Sequence, residues 1–324
     1  MSRYAAVHAD PQGPGDARPT AIQIIHDEGV ESTLNGKVIV ITGTSAGIGI
    51  ETARALALTG ATLFLTARDL TKARRALGDI LHSDNVHLIE LDLNSFDSVR
   101  AGAAAILSKT DKINVLINNA GIMAVPDLSY TQDGHELQFG TNHLAHFLLF
   151  QLLKPALLAA STPTFHSRVV ALSSAAHKRN GISDSDDYNF QKGGYNGQLS
   201  YDRSKTANVY MANEIERRYG GQGLHATSVH PGVILTDIAR YLDEAAISAI
   251  LDRDGMRKAM KSIEQGAATT VWAAIGKEWE GTGGKYLQDC RVGVDGDIVP
   301  HTYNPEAEAR LWRDSLKLVG VEDD

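Results

Sequence analysis

Apolar positions recur along this chain in two alternating patterns. Short β-branched runs occur at KVIVITG (37–43), ATLFLTA (61–67), VHLIELDL (86–93), INVLINNAG (113–121), SRVVALSS (167–174) and HATSVHPG (225–232). Between them lie longer segments with helical spacing, such as Ile48 to Leu58 and the amphipathic DLTKARRALGDILH (69–82). A period of two marks strands and a period near 3.6 marks helices. Their regular alternation predicts an α/β fold, a doubly wound parallel sheet covered on both faces by helices. Ligands of such sheets bind beyond the carboxyl ends of the strands. The pattern starts near residue 35 and runs to about 320 as a single domain, elaborated after Thr236 by a lid-like segment (243–266). Residues 1–20, rich in Pro, Gly and Asp, are expected to be disordered, and 21–34 to form a short helical lead-in. No internal repeat is visible.

Composition narrows the functional classes. The chain has 324 residues, 43% of them hydrophobic, a formal net charge of −8 and one cysteine, Cys290. The negative charge argues against nucleic acid as the main partner. A lone cysteine forms no intrachain disulfide, and a reducing, cytoplasmic setting is expected. The first twenty residues lack the apolar core of a signal peptide. The most apolar stretch, HLAHFLLFQLLKPALLAA (143–160), is interrupted by His143, His146, Gln151, Lys154 and Pro155, so no membrane span is expected.

The glycine turn TGTSAGIG (42–49) follows a strand and opens a helix. That context turns free helix N-terminal N–H groups toward a phosphate. The next strand ends in TARD. A site for an unphosphorylated ribose usually carries a carboxylate where Ala67 stands here; Arg68 follows, and a guanidinium suits a 2′-phosphate. The cofactor expected is therefore NADP(H). Asp69 is the alternative ribose ligand, and Arg68 as a solvated charge is the plain reading. Downstream, YDRSK puts Tyr201 and Lys205 on one helical face. A phenol is a poor acid or base at neutral pH, and a neighbouring ammonium stabilises its anion.

Together these residues resemble the short-chain dehydrogenase/reductase family, most of all its retinol dehydrogenase and WW-domain oxidoreductase branch with fungal members. The resemblance rests on TGTSAGIG, TARD, LDL, NNAG, DGHELQFGTNHLAHFLL, VVALSS, YDRSK and VHPGVILTDI, in the family's order. It implies a Rossmann-type fold, Tyr201 as acid/base, Lys205 as its partner and ribose ligand, and Ser174 as hydrogen-bond partner of the substrate oxygen. Ser173 is the adjacent alternative, although strand alternation points the two serines to opposite faces. Asn142 matches an asparagine that supports a water-linked proton relay to the lysine. Gly43, Ser45, Gly47, Ile48 and Gly49 would line the pyrophosphate turn, so that the dinucleotide lies against the backbone. Asp92 and Leu93 would flank the adenine, with Asn119 and Gly121 near the ribose. Pro231, Gly232, Val233 and Thr236 would cover the nicotinamide side.

The implied reaction is hydride transfer between NADP(H) and a ketone or aldehyde, or the matching alcohol, of a hydrophobic small molecule of secondary metabolism. A non-catalytic NADP(H)-binding sensor or scaffold, and an NADPH-dependent carbon–carbon double-bond reductase, are the alternatives. Pairing of two copies through the long helices is common among such proteins. Ser174 and Tyr201 lie 27 positions apart, about twice the spacing of compact members, and the polar insert 175–199 is expected to be a surface loop beside the entrance. The histidine pairs His143/His146 and His225/His230 read as packed or capping groups rather than metal ligands.

Overall fold

This computed structural model describes residues 2–182 and 187–322. Positions 183–186 of the insert and 323–324 of the acidic tail, like Met1, lie outside the described residues. Strands β1 (Val38–Thr42), β2 (Thr62–Ala67), β3 (Val86–Glu90), β4 (Val115–Asn118), β5 (Ser167–Leu172), β6 (Leu224–His230) and β7 (Lys285–Gln288) run parallel, in the order β3-β2-β1-β4-β5-β6-β7. A short antiparallel strand, β8 (Arg291–Val292), completes the edge. β1 sits between β2 and β4, so the chain order reverses there and opens a crevice at the strand ends.

The sheet separates two cores. In β1, Val38 and Val40 enter one and Ile39 and Ile41 the other, the period of two expected of a strand buried on both faces. Helices α1 (Ala5–Ala9), α2 (Ala21–Glu28), α3 (Ile48–Ala57), α4 (Leu70–Leu77), α5 (Phe96–Leu107), α6 (Leu137–Phe139), α7 (Ala145–Ala160), α8 (Gly197–Tyr219), α9 (Glu244–Leu251), α10 (Met256–Ala259), α11 (Ile263–Ile275) and α12 (Pro305–Val319) surround it. The first core takes apolar faces of α5, α7, α8 and α12; the second takes those of α2, α3, α4 and α11.

The segment Leu137–Ala160 is long and apolar enough to cross a membrane by length and composition, yet 78% of it is buried inside the protein. α12 closes over the two longest helices. Trp312 sets its ring edge-on to Phe147 at 4.9 Å and to Phe150 at 6.0 Å, and Arg218 stacks 4.7 Å above it. Almost every position of α8 from Ser200 to Ile215 is buried within the chain. α7 and α8 are thus packed against α12 from within the chain.

The N-terminal segment differs from its expected disorder. Arg18 is 4% exposed and donates to the carbonyls of Ala259 at 2.9 Å and Gly13 at 3.1 Å, and to that of Met260. Gln265 Nε2 donates to the carbonyls of Asp16 and Arg18, both at 3.1 Å, and the buried Tyr4 donates to Asp27 at 2.9 Å. Composition misled here because order comes largely from one guanidinium satisfying carbonyls at the end of α10, with Tyr4 the apolar anchor in the core.

Two buried histidines make the fold acid-sensitive. His143 Nε2 lies 2.9 Å from Ser315 Oγ, and burial pushes the His143 ring down to about 3. His146 lies between Thr42 Oγ1 at 2.8 Å and the Asn142 carbonyl at 3.0 Å, and burial pushes it down to about 4. Both folded values fall below the ordinary 6.5. Their stabilisation is therefore complete above pH 6.5 and lost as pH falls toward 4, at up to about 1.4 kcal/mol per pH unit each. Thermal melts across that window should show a shallower pH slope for His143→Leu than for the native protein; equal slopes would contradict the assignment.

Candidate active site

At the end of β1 the chain turns sharply into α3. Gly43 has φ +74°, and a Cβ there would lie 2.7 Å from that of Ala120. A Cβ on Gly49 would meet the Gly43 carbonyl oxygen at 2.3 Å and Asn119 Nδ2 at 2.6 Å. These two glycines are thus required by the turn's contact with the end of β4. Only Gly47, φ +61°, stands at the N-cap of α3, where no side chain among the described residues caps the helix and an added Cβ would lie 3.3 Å from that of Thr236. The first N–H groups of α3 therefore remain free to meet an anion. Asn119 Nδ2 donates to the Thr42 carbonyl at 2.8 Å, fixing the turn, while its Oδ1 is buried without a partner.

One strand over, Asp69 caps α4, its Oδ1 accepting from the Lys72 N–H at 2.8 Å. That engagement weakens its claim as ribose ligand. Arg68 is exposed and lines the same cavity as the glycine turn, with no side-chain partner among the described residues. Asp92 Oδ1 accepts from Asn94 N at 3.0 Å, and Leu93 is buried beside it. Lys72 reaches Asp237 across the groove at 2.7 Å, a pair that local pattern did not reveal.

At the end of β5 both serines line the cavity, but their hydroxyls are engaged differently. Ser173 Oγ donates to the Lys205 carbonyl at 2.8 Å and is buried. Ser174 points the other way; its Oγ accepts from Ala176 N at 3.2 Å and also hydrogen-bonds the Tyr201 phenol. Tyr201 is 5% exposed. Burial pushes it up to about 12, with the Ser174 hydrogen bond opposing. Burial pushes Lys205 down to about 8. Its Nζ donates to the Leu172 carbonyl at 3.0 Å and lies 5.6 Å from the centre of the Tyr201 ring.

Asn142 sits in a π-helical turn, Gly140–Leu144, just before α7. Its Oδ1 accepts from Ile122 N at 2.8 Å, and its Nδ2 donates to Ile122 O and Ser204 Oγ, both at 2.9 Å. It ties the β4 end to α8 and is the one predicted site residue that does not line the cavity. A Cβ on Gly121 would lie 3.3 Å from Asn142 Oδ1 and 3.4 Å from Lys205 Nζ, so a bare residue there lets both groups approach.

After β6, Gly232 adopts φ +107°, and a Cβ there would strike the Lys261 stem at 2.8 Å. Lys261 Nζ donates to Asp289 at 2.7 Å and to the Pro231 carbonyl at 3.3 Å, pinning the turn. This support joins distant segments and carries no local sequence signal. Pro231, Gly232, Val233 and Thr236 line one cavity of about 810 Å³ with Gly43, Ser45, Gly47, Ile48 and Gly49, and with Ser174, Tyr201 and Lys205. Arg68, Asp92, Leu93, Asn119 and Gly121 complete the predicted set. Ile250 and Met256 bring the lid segment to the same space. Cys290 is buried elsewhere, its thiol pushed up to about 12 by burial.

The arrangement offers a helix N-terminus for an anionic group at one end and two hydroxyls beside an ammonium at the other. Comparison with known proteins agrees with it. Residues 37–247 match the family model described as short chain dehydrogenase. The chain is 46% identical to the short-chain dehydrogenase/reductase prx1 of Penicillium roqueforti, covering 99% of this chain and 96% of that one. It is 37% identical to human retinol dehydrogenase 13 over 90% of this chain and 87% of that one. A solved structure of a Mycobacterium paratuberculosis protein superposes with a TM-score of 0.71 at 31% identity, covering 94% and 99% of the two chains.

Proposed function

The chain belongs to the short-chain dehydrogenase family, and on that premise we propose that it transfers a hydride between NADP(H) and the carbonyl of an apolar ketone or aldehyde, or the matching alcohol. The observation that carries this reading is the convergence of Ser174, Tyr201 and Lys205 on the cavity that also receives the uncapped N-terminus of α3. The free N–H groups of α3 would hold the pyrophosphate, and Asn119 Oδ1, without a partner among the described residues, offers an acceptor for a ribose hydroxyl. When bound, the nicotinamide supplies or accepts the hydride. In the reducing direction the Ser174 and Tyr201 hydroxyls hold the substrate oxygen, and Tyr201 gives it a proton as negative charge develops there. In the oxidising direction the Tyr201 phenolate takes that proton back. Lys205 stabilises the phenolate by charge and holds the ribose, and Asn142 fixes the backbone beside it.

The preference for NADP(H) rests on Arg68 standing unpaired at the end of β2 while the neighbouring Asp69 carboxylate caps α4. Arg240 adds positive charge to the same groove, where Lys72 is paired with Asp237. A cytoplasmic setting is part of the same reading. The test follows absorbance loss of NADPH, and separately of NADH, against a panel of apolar aldehydes and ketones; turnover with NADPH is expected. Arg68→Ala should weaken NADPH binding about 10–100-fold, as loss of a charge-assisted pair implies, and NADH binding by less than about threefold. Equal losses for the two cofactors would show that Arg68 does not read the phosphate.

A further inference from the structure

The residue after the proposed acid/base is a buried carboxylate. Asp202 is 1% exposed, and four donors surround it. Arg179 Nε reaches Oδ2 at 2.9 Å and Arg179 Nη2 reaches Oδ1 at 2.6 Å. Asn180 Nδ2 donates to Oδ2 at 2.9 Å, and Gln198 Nε2 to Oδ1 at 2.8 Å. A buried carboxylate is tolerated only when so fully satisfied. Its partners come from the two ends of the insert that separates Ser174 from Tyr201. Asp202 therefore staples the start of that insert to α8 and, one turn along the same helix, holds the Gln198 amide.

The staple leaves two polar atoms over. The bidentate pair fixes the guanidinium plane of Arg179 and cancels its charge, while its Nη1 has no partner among the described residues. Gln198, whose amide nitrogen is engaged, keeps its Oε1 free. Both side chains line the cavity beside Tyr201, and the Arg179 side chain is 51% exposed. The lining of the same cavity includes the apolar Met123, Ala175, Ile234 and Met256. The other arginines lining the cavity are Arg68, Arg240 and Arg253, of which Arg240 is turned to the Asp237 carbonyl at 2.6 Å.

We propose that Arg179 and Gln198 form a second recognition point for substrate, taking a neutral hydroxyl or carbonyl oxygen on an apolar body whose reacting carbonyl lies at Tyr201. One fixed donor and one acceptor suit a hydroxyl in full and a carbonyl through the donor alone. The cancelled charge removes any strong attraction for a carboxylate. The inference deepens the function proposed above and rests on it for the position of the reacting group.

The test uses two probes with one carbon skeleton, trans-1-decalone and trans-decalin-1,5-dione, which differ by one carbonyl. Each is titrated calorimetrically into the full-length protein, with and without saturating NADP, and NADPH oxidation is followed in parallel. The dione is expected to bind at least tenfold more tightly than the decalone. Arg179→Met, which keeps the aliphatic stem, should bring the two within twofold by weakening the dione alone. Unchanged decalone and NADPH affinities serve as the folding control. A third probe, 5-hydroxy-trans-1-decalone, presents a hydroxyl to both groups; Gln198→Leu should weaken its binding while leaving that of the dione within twofold. Equal affinities of the dione and the decalone in the native protein, absence of binding included, or a gap that survives Arg179→Met, would overturn the proposal, and unchanged binding of the hydroxy-decalone in Gln198→Leu would remove Gln198 from it. Binding of both probes without NADPH oxidation would instead count against the proposed reaction, and the affinity gap would still decide the subsite.

Discussion

Tyr201→Phe is expected to lower turnover about 10³-fold, within the range assigned to a positioned acid or base, while leaving cofactor affinity within about twofold. The substitution removes one oxygen from a side chain that is 5% exposed and leaves the ring in place, so packing is preserved. What disappears is the proton that the substrate oxygen must receive and the partner of the Ser174 hydroxyl. Single-turnover absorbance decay of NADPH measures the first effect and fluorescence titration of NADPH the second. Substantial residual turnover would remove Tyr201 from the reaction. Parallel loss of binding would instead make it a structural residue of the cavity.

The second large effect concerns the ammonium. Tyr201, pushed up to about 12 by burial, is a reluctant acid, and only nearby positive charge eases loss of its proton. Lys205 supplies that charge while protonated, and burial brings its own value down to about 8. The sign follows directly: carbonyl reduction by the native protein should be fastest below pH 8 and decline above it as the ammonium loses its proton. Lys205→Met should lower kcat about 10²-fold or more and abolish that alkaline limb, leaving a slow, flat profile between pH 7 and 9. A limb that persists in Lys205→Met would assign it to another group.

Much of this architecture is legible in the chain because it is written locally. Six β-branched runs fall on β1 to β6, and turn residues follow them where the crevice opens. β7 and β8 are short, and the stretch before them, KEWEGTGG, reads as a turn, so no pattern announced them. The gathering of Ser174, Tyr201 and the glycine turn is legible through the order of motifs. Their supports are not. Lys261 with Asp289, Lys72 with Asp237, and Arg18 with the carbonyls beyond α10 each join segments that only the fold brings together. The glycines show the limit in another way: three in one turn suggest an approaching ligand, whereas Gly43 and Gly49 are demanded by the neighbouring backbone and by Asn119 and Ala120.

The cover that α12 places over α7 and α8 sets an order on the ribosome. The two longest apolar helices are complete by Tyr219, but Trp312 and its neighbours must wait until residues 220–304 have been synthesised. At bacterial or eukaryotic elongation rates that interval is on the order of ten seconds. For that time the seam later filled by Trp312 lacks its lid, on a chain that already carries most of its sheet. Nascent chains that stop short of α12 would hold the seam open permanently, which makes the last helix the decisive step in keeping newly made protein from aggregating.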